Sequence, residues 1–201
     1  MRVQGREVGL ITGVMISKFA LTYVGGTYLV NYGARVLELS RPTVLLVGML
    51  AGLTNVVAIL IGAVLSDRYG RRRIMMIMAC VSFFWVLALF PIIDTRSAAA
   101  FAVGVAVTMF CSGVGTGPLG AYLAELFDTR YRYTAVGFTY AFAGVAGGGS
   151  LPIIASPIIA AYGGFTFGMI FAVLCAIAVL CITRLDETRD ADLDLVGAHR
   201  S

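Results

Sequence analysis

The chain has 201 residues, of which 59% are hydrophobic and 13% charged, and a net charge of +4. Soluble domains run at roughly 45–50% apolar and about 25% charged, so this composition excludes an ordinary water-soluble domain. A mean hydropathy of +0.91 agrees, and the sequence reads as an all-α integral membrane protein.

Charged residues punctuate apolar runs of about the ~20 residues that a helix needs to cross a hydrocarbon layer of ~30 Å. Six spans are predicted, at about 9–33, 43–65, 74–93, 98–123, 134–160 and 165–183. Runs such as IMMIMACVSFFWVLALF lack the alternation of a barrel strand. Helices remain, because they satisfy their own backbone groups in lipid. No Asp or Glu falls within a predicted span.

Arg2 and Arg6 followed by VGLITGVMIS resemble the start of a signal peptide. The apolar stretch continues past Lys18 to about residue 33 without a cleavage pattern, too long for a signal core. Lys18 lies near the middle of the first span, where a lysine costs roughly 2.5–3.5 kcal/mol on insertion scales. Two readings stand. Lys18 faces a substrate cavity together with Met15, Thr22, Gly25 and Leu29, which share its face at helical spacing. Alternatively it snorkels to the cytoplasmic headgroups.

Between the second and third spans, SDRYGRRR concentrates charge at residues 66–73. The fourth span carries Thr108, Ser112, Gly115, Thr116 and Tyr122 at helical spacing, with a bend expected at Gly117-Pro118. Small and hydroxylated residues also mark ordinary helix–helix contacts in membranes, so each is either a cavity or a packing residue. Asn31 and Asn55 are polar groups in lipid that need partners. In the fifth span, Gly147, Gly148 and Gly149 should allow close backbone approach, and Pro152 and Pro157 should bend the helix. Only AYGGF separates the fifth span from the sixth. Cys80, Cys111, Cys175 and Cys181 lie within spans as small apolar residues. With one His, His199, and no CxxC pair, no metal site is expected. Residues 1–185 form the membrane domain, and 186–201 a charged, disordered cytoplasmic tail.

Arg35, Arg41 and Arg96 fall in the odd-numbered loops. The opposite side holds Arg2, Arg6, Arg68, Arg71, Arg72, Arg73, Arg130, Arg132, Arg184, Arg189 and Arg200, which is 11 against 3. Both termini are therefore expected in the cytoplasm. This bias accounts for the positive charge without nucleic acid, since no basic face carries interleaved aromatics.

GAVLSDRYGRRR resembles the loop signature of the major facilitator superfamily, through Leu65, Ser66, Asp67, Arg68, Gly70, Arg71 and Arg72. Ala63 stands where that family has Gly, with Gly62 one place early. AYLAELFDTRYRYTAVGF is similar to the metabolite:proton symporter branch, through Glu125, Leu126, Phe127, Thr129, Arg130, Arg132, Tyr133 and Thr134. Asp128 and Ala135 depart from its Pro and Gly. The resemblance covers the second half of such a transporter only, its last six helices. It implies a missing first half, substrate between the halves near the midplane, and a proton gradient as driving force with no cofactor. It places the first and fourth spans along the cavity. Asp67 would sit at a helix N-terminus of the opposite half, and the neighbouring arginines would pair with cytoplasmic acids to latch one gate. The resemblance also implies an inner-membrane location and a small metabolite as substrate, a carboxylate or related polar solute, which a cavity-facing Lys18 would suit if anionic. A non-transporting remnant or interaction subunit is the alternative. An enzyme is not supported, since no HExxH, GxSxG, intramembrane carboxylate pair or His dyad is present.

Overall fold

A computed structural model of the chain describes residues 5–95, 97–127 and 129–188. Arg2, Arg96, Asp128, Arg189, His199 and Arg200 lie outside the described residues, as does the side chain of Pro152. Six helices among the described residues are long and apolar enough to cross a membrane. They are α1 (Gly5–Arg35), α2 (Arg41–Tyr69), α3 (Arg71–Ile93), α4 (Ala98–Leu126), α5, and α6 (Gly164–Thr183). The fifth runs as Arg132–Ala143, a π-helical segment Gly144–Gly149, and Ser150–Tyr162.

The helices overrun the predicted spans by up to four residues, with Gly5 against 9 and Tyr69 against 65. A ladder of i→i−4 bonds continues as readily through the headgroups as through hydrocarbon, whereas apolar run length marks only the hydrocarbon part. Glu7 thereby enters the first turn of α1. Like Asp67 in α2 and Glu125 in α4, it lies in a helix end outside the predicted spans, which hold no Asp or Glu. A carboxylate suits the N-terminal end of α1, where the helix dipole favours negative charge.

Sequence punctuation sets the ends. Ser40 caps α2 by accepting from the Thr43 N–H at 3.4 Å, and proline stands in the first turn. Gly70, at φ 100°, turns the chain from α2 into α3. Gly163, at φ 83°, separates α5 from α6, and its N–H donates to the Ile159 carbonyl at 2.9 Å. The short AYGGF boundary is therefore a true helix break.

Helices α1 and α4 are the most buried and occupy the middle of the bundle. The first packs on α5 and α6, the fourth on α2 and α3, and α3 lies along α6. Glycine permits the closest approaches. A Cβ at Gly62 would overlap the Val114 carbonyl oxygen, and one at Gly117 would lie 2.5 Å from the Ala63 nitrogen. Gly62 thus supplies the tight approach despite Ala63 in the neighbouring position. On the other side, Gly147 rests on the Ile16 carbonyl in the same way.

The apolar interior divides in two. One cluster includes Leu21, Leu29, Phe90, Phe101 and Phe167. The other includes Met15, Met75, Leu119, Tyr122 and Ile182 toward the ends that carry the arginine-rich loop. Between them lie Lys18 on α1 and Gly115 on α4, with Ser112 at the near edge of the first cluster, between Cys111 and Val114.

Six crossings place the α2–α3 turn and the α3–α4 turn on opposite faces of the membrane. With the four native cysteines replaced, a cysteine at Arg73 and one at Ser97 should react with an impermeant maleimide from opposite sides. Both positions are exposed. Labelling of both from one side would remove the six-crossing topology.

Candidate functional site

Lys18 is 4% exposed. Its ammonium fills the place that a Cβ on Gly115 would take, so it points into α4 and not toward the headgroups. Snorkelling does not describe this side chain. Cys111 on α4 and Cys175 on α6 are the titratable groups facing it. Among the described residues, no hydrogen bond or ion pair reaches its ammonium. Met15, Gly25 and Leu29 are buried on the same helix, while Thr22 is half-buried.

Thr22 donates to the Lys18 carbonyl at 3.0 Å and lies 2.6 Å from the Ser112 hydroxyl. A hydroxyl has one proton. Since Thr22 donates to the Lys18 carbonyl, Ser112 donates to Thr22. Thr116, half-buried, donates to the Ser112 carbonyl at 2.8 Å.

Other candidates turn inward. Thr108 is fully buried, donates to the Gly104 carbonyl at 2.7 Å and accepts from Trp85 Nε1 at 2.9 Å. Its hydroxyl joins α4 to α3. Tyr122 is also fully buried, and its hydroxyl donates to the Asp186 carbonyl at 2.7 Å. Asn55 donates to the Met109 carbonyl at 2.9 Å and joins α2 to α4, whereas Asn31 donates to Thr27 of its own helix. At Gly117-Pro118 a two-residue turn interrupts α4, although both residues keep helical backbone angles and the Gly117 N–H still donates to the Gly113 carbonyl at 3.0 Å. Gly147, Gly148 and Gly149 fall in the π-helical segment of α5, and α1 has its own at Val24–Tyr28. Such segments recur at functional sites.

A second constellation closes the end that carries the arginine-rich loop. Arg71 pairs with Asp67 at 3.1 Å and with Glu125 at 2.7 Å. The two sequence stretches that carry the family resemblance therefore meet in space. Glu187 accepts from the backbone N–H groups of Arg71 at 2.9 Å and Arg72 at 3.2 Å. Arg72 donates to the Ile182 and Thr183 carbonyls at 3.0 and 2.8 Å, and Thr188 donates to Glu125 at 2.7 Å. A carboxylate does sit on a helix N-terminus here. It is Glu187 on α3 of the same bundle, while Asp67 pairs locally and keeps 64% of its side chain exposed. Residues 186–188, expected in a disordered tail, are the cap of α3 and the acceptor for Tyr122. Arg68 is exposed on the same turn. Arg132 donates to the Phe127 carbonyl at 3.3 Å, and the Arg130 guanidinium lies 5.5 Å from the Tyr131 ring centroid. Neither joins the Arg71 cluster in these contacts.

Sequence reasoning missed Glu187, Thr188, Trp85 and the seat at Gly115. For Glu187 a signal existed: an acidic pair immediately after the last span, on a side otherwise rich in arginine.

Residues 10–198 match the sequence profile of the Major Facilitator Superfamily. The chain belongs to that superfamily. Among curated proteins it is 28% identical to the inner membrane metabolite transport protein YhjE of Escherichia coli (strain K12), over 94% of this chain and 44% of the relative. It is 26% identical to the shikimate transporter of the same organism, covering 87% and 40%. The citrate-proton symporter of Klebsiella pneumoniae is also 26% identical, covering 86% and 40%. The chain spans less than half the length of these relatives. All three are transporters and none is an enzyme, in keeping with a sequence that carries no catalytic constellation.

Proposed function

We propose that this chain is one six-helix half of a secondary transporter of the Major Facilitator Superfamily, working by alternating access with a distinct first half. It carries a small carboxylate down a proton gradient across the inner membrane, with both termini in the cytoplasm. The observation that carries this reading is the buried Lys18 at mid-bundle, beside the Ser112–Thr22 hydroxyl pair and between two apolar clusters. A cation at membrane depth is a functional candidate by default, and its natural ligand is an anion. Two of the relatives are named for carboxylates, and one of those names includes the proton. Coverage of less than half of each relative supports the need for a first half.

Helices α1 and α4 would line the route, with Thr22 and Thr116 on its margin. Tight glycine contacts join α2 to α4 and α5 to α1, which suits a half that moves as a body. The Arg71 cluster holds the cytoplasmic ends of α2, α3, α4 and α6 together. Asp67, paired with Arg71 but exposed at the edge of the cluster, is placed to meet the other half.

Reconstitution tests the reading. In vesicles with an imposed proton gradient, the chain alone should take up neither citrate nor shikimate. The chain together with the first six helices of YhjE should show saturable uptake. Failure of both would favour the non-transporting remnant, and saturable uptake by the lone chain would establish a homodimeric transporter. In the paired system, Lys18→Met should abolish uptake while membrane insertion persists, and normal uptake by that variant would remove Lys18 from the route.

A further inference from the structure

Lys18 is the only lysine in the chain, and the other charged side chains among the described residues lie near helix ends or in the turns between them. Its ammonium is seated against Gly115, in a layer between two apolar clusters, with no acidic side chain beside it among the described residues. Around it, α4 contributes Cys111, Ser112 and Gly115, and α6 contributes Cys175, which accepts from Ser17 at 3.6 Å. The stretch of α5 that packs on this part of α1 brings Gly147 and Gly148, with Tyr140 against Phe19. None of these neighbours carries a full negative charge that could balance an ammonium.

A buried charge without a partner costs several kcal/mol after relaxation. The same penalty applies to a bare carboxylate entering this layer. Neither charge is favourable alone, and the two together are neutral. Thr22 and Thr116 are half-buried, and both hydroxyls hydrogen-bond to the backbone of this layer. Ser112 joins them, its hydroxyl 2.6 Å from that of Thr22 and its carbonyl accepting from Thr116.

We propose that Lys18 admits one carboxylate and one proton together, so that the ammonium and the anion are formed as a pair in this half. In the binding step a proton from water adds to the lone pair of Nζ, forming one N–H bond, and the carboxylate keeps its charge. Nothing is oxidised or reduced. Release of the anion toward either side returns the proton to water. The coupling thus resides in a lysine, and no intramembrane acid is required. This rests on the transport reading above but needs only α1, α4 and α6, all present in this chain.

The test uses the whole chain alone in lipid nanodiscs at neutral pH, with acetate as the probe and a pH indicator in weakly buffered solution. Correct folding of each variant is checked by size exclusion. Acetate should bind saturably with one-for-one proton uptake. Lys18→Met should weaken acetate binding by roughly a hundredfold, as for removal of one partner of a buried ion pair. Lys18→Arg is the discriminating variant, because a guanidinium is always protonated: it should keep acetate binding and lose proton uptake. Three results would overturn the proposal: no acetate binding to the native chain, binding without proton uptake, or proton uptake unchanged in the arginine variant. None of these depends on pairing with a first half, so failure here is distinct from failure of vesicle uptake.

Discussion

Gly147→Ala should undo the docking of α5 on α1, and Gly62→Ala should do the same to α2 on α4. In both cases the added Cβ would overlap a backbone carbonyl oxygen, that of Ile16 for Gly147 and that of Val114 for Gly62. A clash with the end of a long side chain is relieved by a rotamer change, whereas a carbonyl within a helix moves only if the helix moves. Overpacking a well-filled interior costs typically 1–3 kcal/mol and occasionally more, and these sites have the least room to relax. Controls lie on the same helices. Gly137 on α5 and Gly52 on α2 have nothing within 4 Å of an added Cβ. At those positions alanine should be neutral or stabilising, since glycine within a helix costs roughly 0.5–1 kcal/mol relative to alanine. Thermal unfolding of purified chain in detergent reads the contrast. The tight-site variants should melt several degrees lower, the open-site variants at or above the native temperature. Equal melting of Gly147→Ala and Gly137→Ala would mean that close backbone contact does not hold α5 in place.

That contrast also marks what a sequence can express. Six crossings were legible because lipid forces each run of backbone to be helical and sets its length. The loop at Asp67, Gly70 and Arg71 was legible because its turn and charges are contiguous. Side-chain direction was not. Thr108, Thr116 and Thr139 each donate to the carbonyl four residues earlier in their own helix. A hydroxyl satisfied in that way is compatible with a cavity face or a packed one, so its presence in a span does not decide between them. Thr108 and Tyr122 accordingly point to Trp85 and Asp186 instead of open space. Lys18 was visible as a charge in an apolar run, but the choice between snorkelling and burial depends on Gly115, 97 positions away on another helix. Likewise Glu187 caps a helix whose first residue lies 116 positions earlier. No local pattern encodes such a contact, and composition favours the opposite reading, a solvated tail.

Glu187→Ala should destabilise the lone chain more than Asp67→Asn, although both remove a carboxylate charge from one cluster. The Glu187 carboxylate accepts from two N–H groups at the start of α3, at 2.9 and 3.2 Å. Helix-initial N–H groups have no partner within the helix. Hydrogen bonds to a charged group contribute roughly 1.5–3 kcal/mol each when sheltered, and exposure to solvent should bring this pair of bonds to about 1–2 kcal/mol in total. Asp67 makes one contact on an exposed surface, and such ion pairs are worth about 0–1 kcal/mol. Arg72 supplies the reciprocal link from α3 to α6, through the Ile182 and Thr183 carbonyls. Carbonyls at a helix end are likewise unsatisfied without a donor. Cap and donor therefore join the same two helix ends, and loss of either lets the ends separate and weakens the other. A double-mutant cycle between Glu187→Ala and Arg72→Gln should show a coupling of roughly 0.5–1 kcal/mol, read from thermal or denaturant unfolding in detergent. A cluster in which Asp67 contributes little to the stability of this half, while Glu187 and Arg72 contribute much, separates its parts by task. The inner pair holds α3 to α6, and the outer carboxylate is left for a surface beyond this chain. If Asp67→Asn instead unfolded the lone chain as readily as Glu187→Ala, Asp67 would be a structural residue of this half, with no charge held in reserve for a partner.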